Sequence, residues 1–154
     1  MTEMETWQQT QMNLLDSKVV ALNDGYRKIY GYNYISNAIK KIPVISQTDI
    51  QLEKFKAQTE TLIGLFPEVI AEGKKYNKEY LKVFSSYKGY LMIEYKMVVK
   101  GYHRTVWMPL GIGIGLSFGV ALKNIALGIP IGLGIGIAIG SGLDAKAEKE
   151  GKVL

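Results

Sequence analysis

The chain has 154 residues, a net charge of +5 and an apolar content of 47%, a size that suits one ordinary domain. It contains no cysteine and a single histidine, His103, which excludes disulfides, thiolate zinc sites and cysteine nucleophiles. The charges are unevenly distributed, because residues 1–104 hold 15 basic and 11 acidic side chains, whereas residues 105–143 hold Lys123 alone. A polar N-terminal part is therefore joined to a very apolar C-terminal part, which is not typical of a soluble monomer.

The first 104 residues are predicted to be helical, because they lack the sustained alternation of apolar and polar residues that marks strands. They begin with MTEMETWQQTQMNLLDSK, which has no basic start and no apolar run, so secretion through a signal peptide is not expected. An apolar stripe predicts a first helix over 3–22, with Asn23-Asp24-Gly25 as its stop.

Two further helices are predicted from capping and proline signals. The second covers 33–41 and ends before Pro43, because proline disfavours helix in the residue that precedes it. The third begins after Ser46, read as an N-cap residue, and continues towards Leu65. We expect Pro67 to kink or restart it.

A long helix is predicted over 75–102, where residues recur at spacings of three and four and form a heptad stripe interrupted by one lysine. Such a stripe packs against another helix of the same domain or of a second chain, and we favour the same domain. The stripe comprises Leu81, Phe84, Lys88, Leu91, Tyr95, Val98 and Tyr102.

Ten tyrosines, interleaved with lysines, lie in two clusters within 26–34 and 76–102. Rings mixed with cations suit a lipid headgroup layer or the stacking of nucleic-acid bases. Helical spacing more often means a half-buried face with a solvated rim, which is the interpretation we favour.

Two apolar runs, 105–122 and 125–143, contain 18 and 19 residues. As helices they would be roughly 27 to 28 Å long, close to the ~30 Å hydrocarbon layer of a bilayer. Lys123 and Asn124 alone separate them. The predicted fold is therefore all-α: an N-terminal helical bundle or long helical hairpin over 1–104, a two-helix transmembrane glycine-zipper hairpin over 105–143, and a charged tail over 144–154.

The two runs repeat each other at an offset of 21 residues, and both carry glycine at every fourth position. Glycine at that spacing leaves a groove in which the backbone of a neighbouring helix can lie. The predicted helix-packing residues are Gly111, Gly115, Gly119, Gly128, Gly132, Gly136 and Gly140.

A second row of small residues lies on the opposite side of each predicted helix, about 200° away. One hairpin cannot fill both rows, so we expect self-association into a homo-oligomer. The rows are Gly113, Ser117 and Ala121 in the first run and Gly134, Ala138 and Gly142 in the second. The Gly-Ile alternation also permits a β-hairpin, which is disfavoured because its edges would be unpaired in lipid.

The motifs GIGIGLSFG and GIPIGLGIGIAIG, followed by DAKAEKEGK, resemble those of bacterial glycine-zipper membrane proteins. The resemblance covers about Trp107 to Lys149 and implies a two-helix membrane hairpin with a charged tail. It does not imply one function, because anchors, lipoproteins, channels and pore-forming toxins share the motif. The absence of cysteine departs from the lipid-anchored members.

Flanking charge predicts the orientation. Basic residues surround both outer ends of the two runs, whereas the turn holds Lys123 alone, so both termini of this multi-pass protein are expected in the cytoplasm, with the spans in the cytoplasmic membrane. Tyr102, Arg104 and Trp107 are the predicted membrane-interface residues.

No catalytic residues, metal site or cofactor is predicted, because the glycine motif lacks the P-loop lysine and His103 has no partner nearby in the sequence. We therefore expect a non-enzymatic membrane protein. Its hairpins assemble to perturb or perforate the bilayer, as in a toxin or cell-death effector, or serve as an anchor or scaffold whose N-terminal domain binds a protein partner. A soluble nucleic-acid-binding protein is a third and weaker alternative. The expected partners are therefore the lipid bilayer and further copies of the chain, and nucleic acid is not expected.

Overall fold

The computed structural model of the chain describes residues 2–68 and 76–154, and these residues form helices and no β-strand. The prediction of an all-α protein is confirmed, and the alternative of a β-hairpin in the glycine-rich runs is wrong. The described helices are α1 Glu3–Val19, α2 Asp24–Ile29, α3 Tyr32–Ile45, α4 Asp49–Gly64, α5 Lys78–Tyr95, α6 Tyr102–Ala121 and α7 Ile125–Lys149.

The chain divides into two compact units. The first comprises the residues up to Met97 together with Leu154, and the second is Val98–Val153. The first unit contains α1 to α5, and the second contains α6 and α7.

Side-chain caps start most of the helices, and two of them correct the sequence predictions. Asn23 was expected to stop α1, but its side-chain oxygen accepts from the Tyr26 amide and starts α2. Ser46 is not the N-cap residue of α4, because Thr48 caps that helix through the Gln51 amide. Ser46 instead ends α3, where its amide donates to the Ile42 carbonyl.

Proline does not end α3 where the sequence predicted. Pro43 lies inside the helix, which continues to Ile45. A helical proline leaves the carbonyl four residues before it, here that of Ile39, without its usual amide donor. The Gln8 side chain of α1 donates to that carbonyl at 2.7 Å. A partner distant in the sequence therefore satisfies the group that proline leaves free.

The predicted helix over 75–102 is too long, and its first residue lies outside the described residues. α5 ends at Tyr95 because Lys96 adopts left-handed geometry with φ 58°, and α6 begins after Gly101, which has φ 77°. The stripe does pack within its own domain. Its buried members are Tyr80, Phe84, Tyr87, Leu91 and Tyr95, so two tyrosines replace the predicted Leu81 and Lys88.

Aromatic rings form much of the core of the first unit. The Tyr80 hydroxyl donates to the Tyr30 carbonyl at 2.8 Å, and the hydroxyls of Tyr87 and Thr59 are hydrogen-bonded at 2.9 Å. Burial raises the pKa of both Tyr80 and Tyr87. Half of the ten tyrosines are buried in this core. This agrees with the predicted half-buried face. The buried rings are not accessible for stacking on nucleic-acid bases.

We predict that Gly31→Ala destabilises the first unit. Gly31 has φ 76°, and a Cβ there would overlap the ring of Phe84. Left-handed strain and overpacking together should cost about 2 to 4 kcal/mol. The measurement is chemical unfolding of the full chain in detergent, followed by near-ultraviolet circular dichroism of the tyrosines.

The matched control is Gly89→Ala, which adds the same methyl group where nothing lies within 4 Å. It should leave stability unchanged or slightly raised. Equal stability of the two variants would show that the Gly31–Phe84 contact is unimportant.

Candidate functional site

The glycine-rich helices α6 and α7 run antiparallel and are joined by residues 122–124. Lys123 provides the turn with φ 52°, and the Asn124 amide donates to the Gly119 carbonyl at 2.8 Å. The Asn124 side chain accepts from the Leu127 amide and starts α7. The two residues left between the apolar runs are therefore those that a tight helix–helix turn requires.

All seven predicted helix-packing glycines are buried in the contact between α6 and α7. A Cβ on Gly111 would overlap the backbones of Gly132 and Gly136. A Cβ on Gly115 would overlap Gly128 and Gly132 in the same way. The two backbones touch along the whole row, so any side chain larger than hydrogen would force the helices apart.

The same row continues towards the outer ends of the two helices, which we call the base of the pair. A Cβ on Gly136 would overlap the Trp107 carbonyl, and one on Gly140 would overlap the backbone of Arg104. The row is thus filled by the other helix of the same chain, which leaves only the second row of small residues for contact with another copy.

The second row of small residues is uncovered. A Cβ on Gly113, Gly134 or Gly142 would meet nothing within 4 Å. The Ser117 hydroxyl of this row donates to the Gly113 carbonyl of its own helix at 3.2 Å, so its one donor is used within α6.

Large apolar side chains cover the outer surfaces of both helices and remain exposed. Phe118 is 54% exposed on α6, and Leu127 is 56% exposed on α7. The others are Val106, Leu110, Ile114, Leu116, Val120, Leu122, Ile125, Ile129, Ile131, Ile135, Ile137 and Ile139. A surface of this extent is abnormal for a soluble monomer and marks contact with lipid or protein.

Of the described helices, α7 alone is long and apolar enough to cross a membrane, with a mean hydropathy of 1.9. Buried core helices of soluble proteins can have such sequences, but 22% of this apolar stretch is buried. α6 falls short because it begins with the polar residues Tyr102, His103 and Arg104 and ends at Ala121.

The predicted interface residues all lie in the first two turns of α6, at the base of the pair. Arg104 is exposed, and Tyr102 and Trp107 are partly buried. Sequence reasoning missed Asp144, whose carboxylate accepts hydrogen bonds from two backbone amides of this same turn. A signal was present, because Asp144 continues the four-residue spacing of Gly136 and Gly140.

Other chemistry is sparse in the part of the chain that the structure describes. No group of three His, Asp or Glu side chains there is placed to hold a metal ion. No known protein family, curated protein or solved structure matches the chain. The resemblance to glycine-zipper proteins thus depends on the motifs alone.

We predict that Gly132→Ile separates α6 from α7, whereas Gly134→Ile does not. The two positions lie in the same helix, but the new side chain meets the α6 backbone only at residue 132. Because the chain has no cysteine, spin labels at Val106→Cys and Ala145→Cys can report the separation in detergent. We expect a longer, broader distance distribution for Gly132→Ile, with at least ~1 kcal/mol of packing lost. Identical distributions in both variants would contradict the glycine contact.

Proposed function

We propose that the protein is integral to a membrane, where α6 and α7 insert as a helical hairpin that anchors the helical domain of α1 to α5. One observation carries the proposal: a single row of glycines fills the contact between the two helices, and the large apolar side chains are all left on the outer surface. The glycines place backbone against backbone, whereas side chains such as Phe118, Leu127 and Ile131 are left uncovered by protein. Lipid offers these side chains an apolar surrounding that water does not.

The dimensions of the two helices support insertion. The 25 residues of α7 correspond to about 38 Å of helix, more than the ~30 Å hydrocarbon layer. The 20 residues of α6 include its polar first turn, and the apolar part after it, about 25 Å long, is at the lower limit for a span. Helical hydrogen bonding within each helix satisfies most backbone groups, as lipid requires. The exceptions are the carbonyls of Thr105 and Ala126, near the N-terminal ends of the helices, which Pro109 and Pro130 leave without their usual amide donor. The polar first turn of α6 and the charged last turns of α7 both lie at the base, where a bilayer has its headgroups.

Charge supports an orientation with both termini in the cytoplasm. Arg104, Lys146 and Lys149 lie at the base of the pair, whereas Lys123 is the one charged residue at the turn. Basic segments are retained on the cytoplasmic side. We therefore propose two spans in the cytoplasmic membrane, with the turn on the far side.

An anchor or scaffold is favoured over a pore. The row of seven glycines is already filled by the helix pair itself, so it offers no contact to a second copy of the chain. The outer faces carry aliphatic and aromatic side chains and no ionisable group between Thr105 and Leu143 except Lys123 at the turn, so an assembly would have little to line a water-filled channel. The domain of α1 to α5 would then provide the surface for a protein partner.

One observation favours self-association as a second candidate. The second row of small residues, on the outer surface, remains open at Gly113, Gly134 and Gly142. Small residues at that spacing permit close approach of another membrane helix. Assembly of hairpins through this row, with perturbation of the bilayer, is the alternative function.

Topology can be tested with three single cysteines in the cysteine-free chain, at Lys100, Lys123 and Lys149. An impermeant maleimide added to intact cells should label Lys123→Cys alone, because two spans place the other two positions inside. Labelling of Lys149→Cys alone, or of Lys100→Cys and Lys123→Cys together, would mean that α7 spans by itself. Carbonate extraction provides the control, and recovery of the chain in the supernatant would contradict the membrane proposal.

The anchor and the assembly should respond differently when large side chains fill the second row of small residues. Gly113→Ile with Gly134→Ile fills that row without touching the contact between α6 and α7. For an anchor, the parent and the double variant should both be monomeric in detergent crosslinking and leave vesicles sealed. An oligomer in the parent that is lost in the double variant, together with loss of dye leakage, would establish the assembly instead.

A further inference from the structure

The first turn of α6 lacks a cap of its own. Its N-cap position is Gly101, which has no side chain to accept from the helix. The Tyr102 amide donates to the Val99 carbonyl at 3.1 Å, but the amides of His103 and Arg104 have no acceptor in their own segment. The Asp144 carboxylate, on the other helix, fills this role: the His103 amide donates to Oδ1 at 2.9 Å and the Arg104 amide donates to Oδ2 at 3.2 Å. Both oxygens of one carboxylate therefore join α7 to α6.

The charge of the carboxylate suits its position. A helix N-terminus carries a partial positive charge, and charge-assisted hydrogen bonds are stronger than neutral ones. Asp144 is half-buried and lies one turn beyond Gly140, whose Cα faces the backbone of Arg104. The carboxylate thus acts where the glycine contact ends.

A backbone contact between the segments that flank α6 and α7 also lies at the base of the pair. The Val98 amide donates to the Lys152 carbonyl at 2.9 Å, and Val98 pairs with Val153 in an isolated bridge. At the opposite end, the covalent turn at Lys123 and Asn124 keeps the helices together. The turn is permanent, whereas the base depends on noncovalent contacts alone.

We propose that Asp144 is a latch that closes the base of the α6–α7 pair. With the carboxylate in place, the first turn of α6 stays on α7 and covers Gly136 and Gly140. Without it, the turn opens and uncovers the base end of the glycine row, while the end near the covalent turn stays packed. The latch deepens the proposed function, because it controls whether the membrane hairpin is closed at its headgroup end.

Amide hydrogen exchange tests the latch in the full chain reconstituted in phosphatidylglycerol-containing nanodiscs. Asp144→Ala should speed exchange at the His103 and Arg104 amides by roughly tenfold or more, the factor expected for loss of a charge-assisted hydrogen bond. Asp144→Asn keeps one acceptor oxygen and should give a smaller increase. The Leu127 amide, at the turn end of the pair, should be unaffected.

The matched control is Glu148→Gln, which removes the same charge from the same helix. Glu148 is exposed and has no ion pair within the described ranges 2–68 and 76–154, so this variant should exchange like the parent. Unchanged rates at His103 and Arg104 in Asp144→Ala would overturn the latch. Equal acceleration at Leu127 would overturn it too, because the residue would then stabilise the whole pair.

Distances provide an independent measurement. Spin labels at Val106→Cys and Ala145→Cys report the base, and labels at Val120→Cys and Leu127→Cys report the turn end. Asp144→Ala should broaden the base distribution alone, and unchanged widths would contradict the proposal. Failure of the chain to float with vesicles would contradict the membrane proposal without affecting the latch, because the same distances can be measured in detergent.

Discussion

The second unit depends on direct contact between two backbones. Seven glycines allow α6 and α7 to approach so closely that a Cβ at any of them would overlap the opposite helix. Glycine is costly in a helix in water because it adds conformational freedom to the unfolded chain. The exposed aliphatic side chains on the outer faces add a second cost in water. Both features are consistent with a bilayer as the solvent, where close packing replaces the hydrophobic effect.

The first unit is built by different means. Its core contains large aromatic rings, and buried hydroxyls such as those of Tyr80 and Tyr87 are paired with partners far away in the sequence. The Gln8 side chain similarly satisfies the carbonyl that Pro43 leaves free in α3. These contacts join helices that are distant along the chain, so this unit has the character of a globular domain whereas the second has that of a helix pair.

The two ends of the helix pair differ in how they are held. Lys123 and Asn124 form a covalent turn with left-handed geometry and a side-chain cap. The base combines the Asp144 carboxylate with the backbone contact between Val98 and Lys152. Charged and polar groups therefore collect at the base, which is consistent with a headgroup layer there and with a turn that crosses to the other side.

The sequence by itself determined the helical class, the apolar runs and the glycine spacing, because these depend on periodicity and composition along one segment. It also located the turn, since Lys123 and Asn124 interrupt the runs. It misjudged the end of α3, because Pro43 is accepted inside the helix where the distant Gln8 side chain supplies the missing donor. It also misjudged the end of α5 at Tyr95, because Lys96 adopts left-handed geometry there. Only the tertiary structure decided that the first glycine row is filled within the chain and that Asp144 caps α6, because spacing defines a helix face but not the neighbour that covers it.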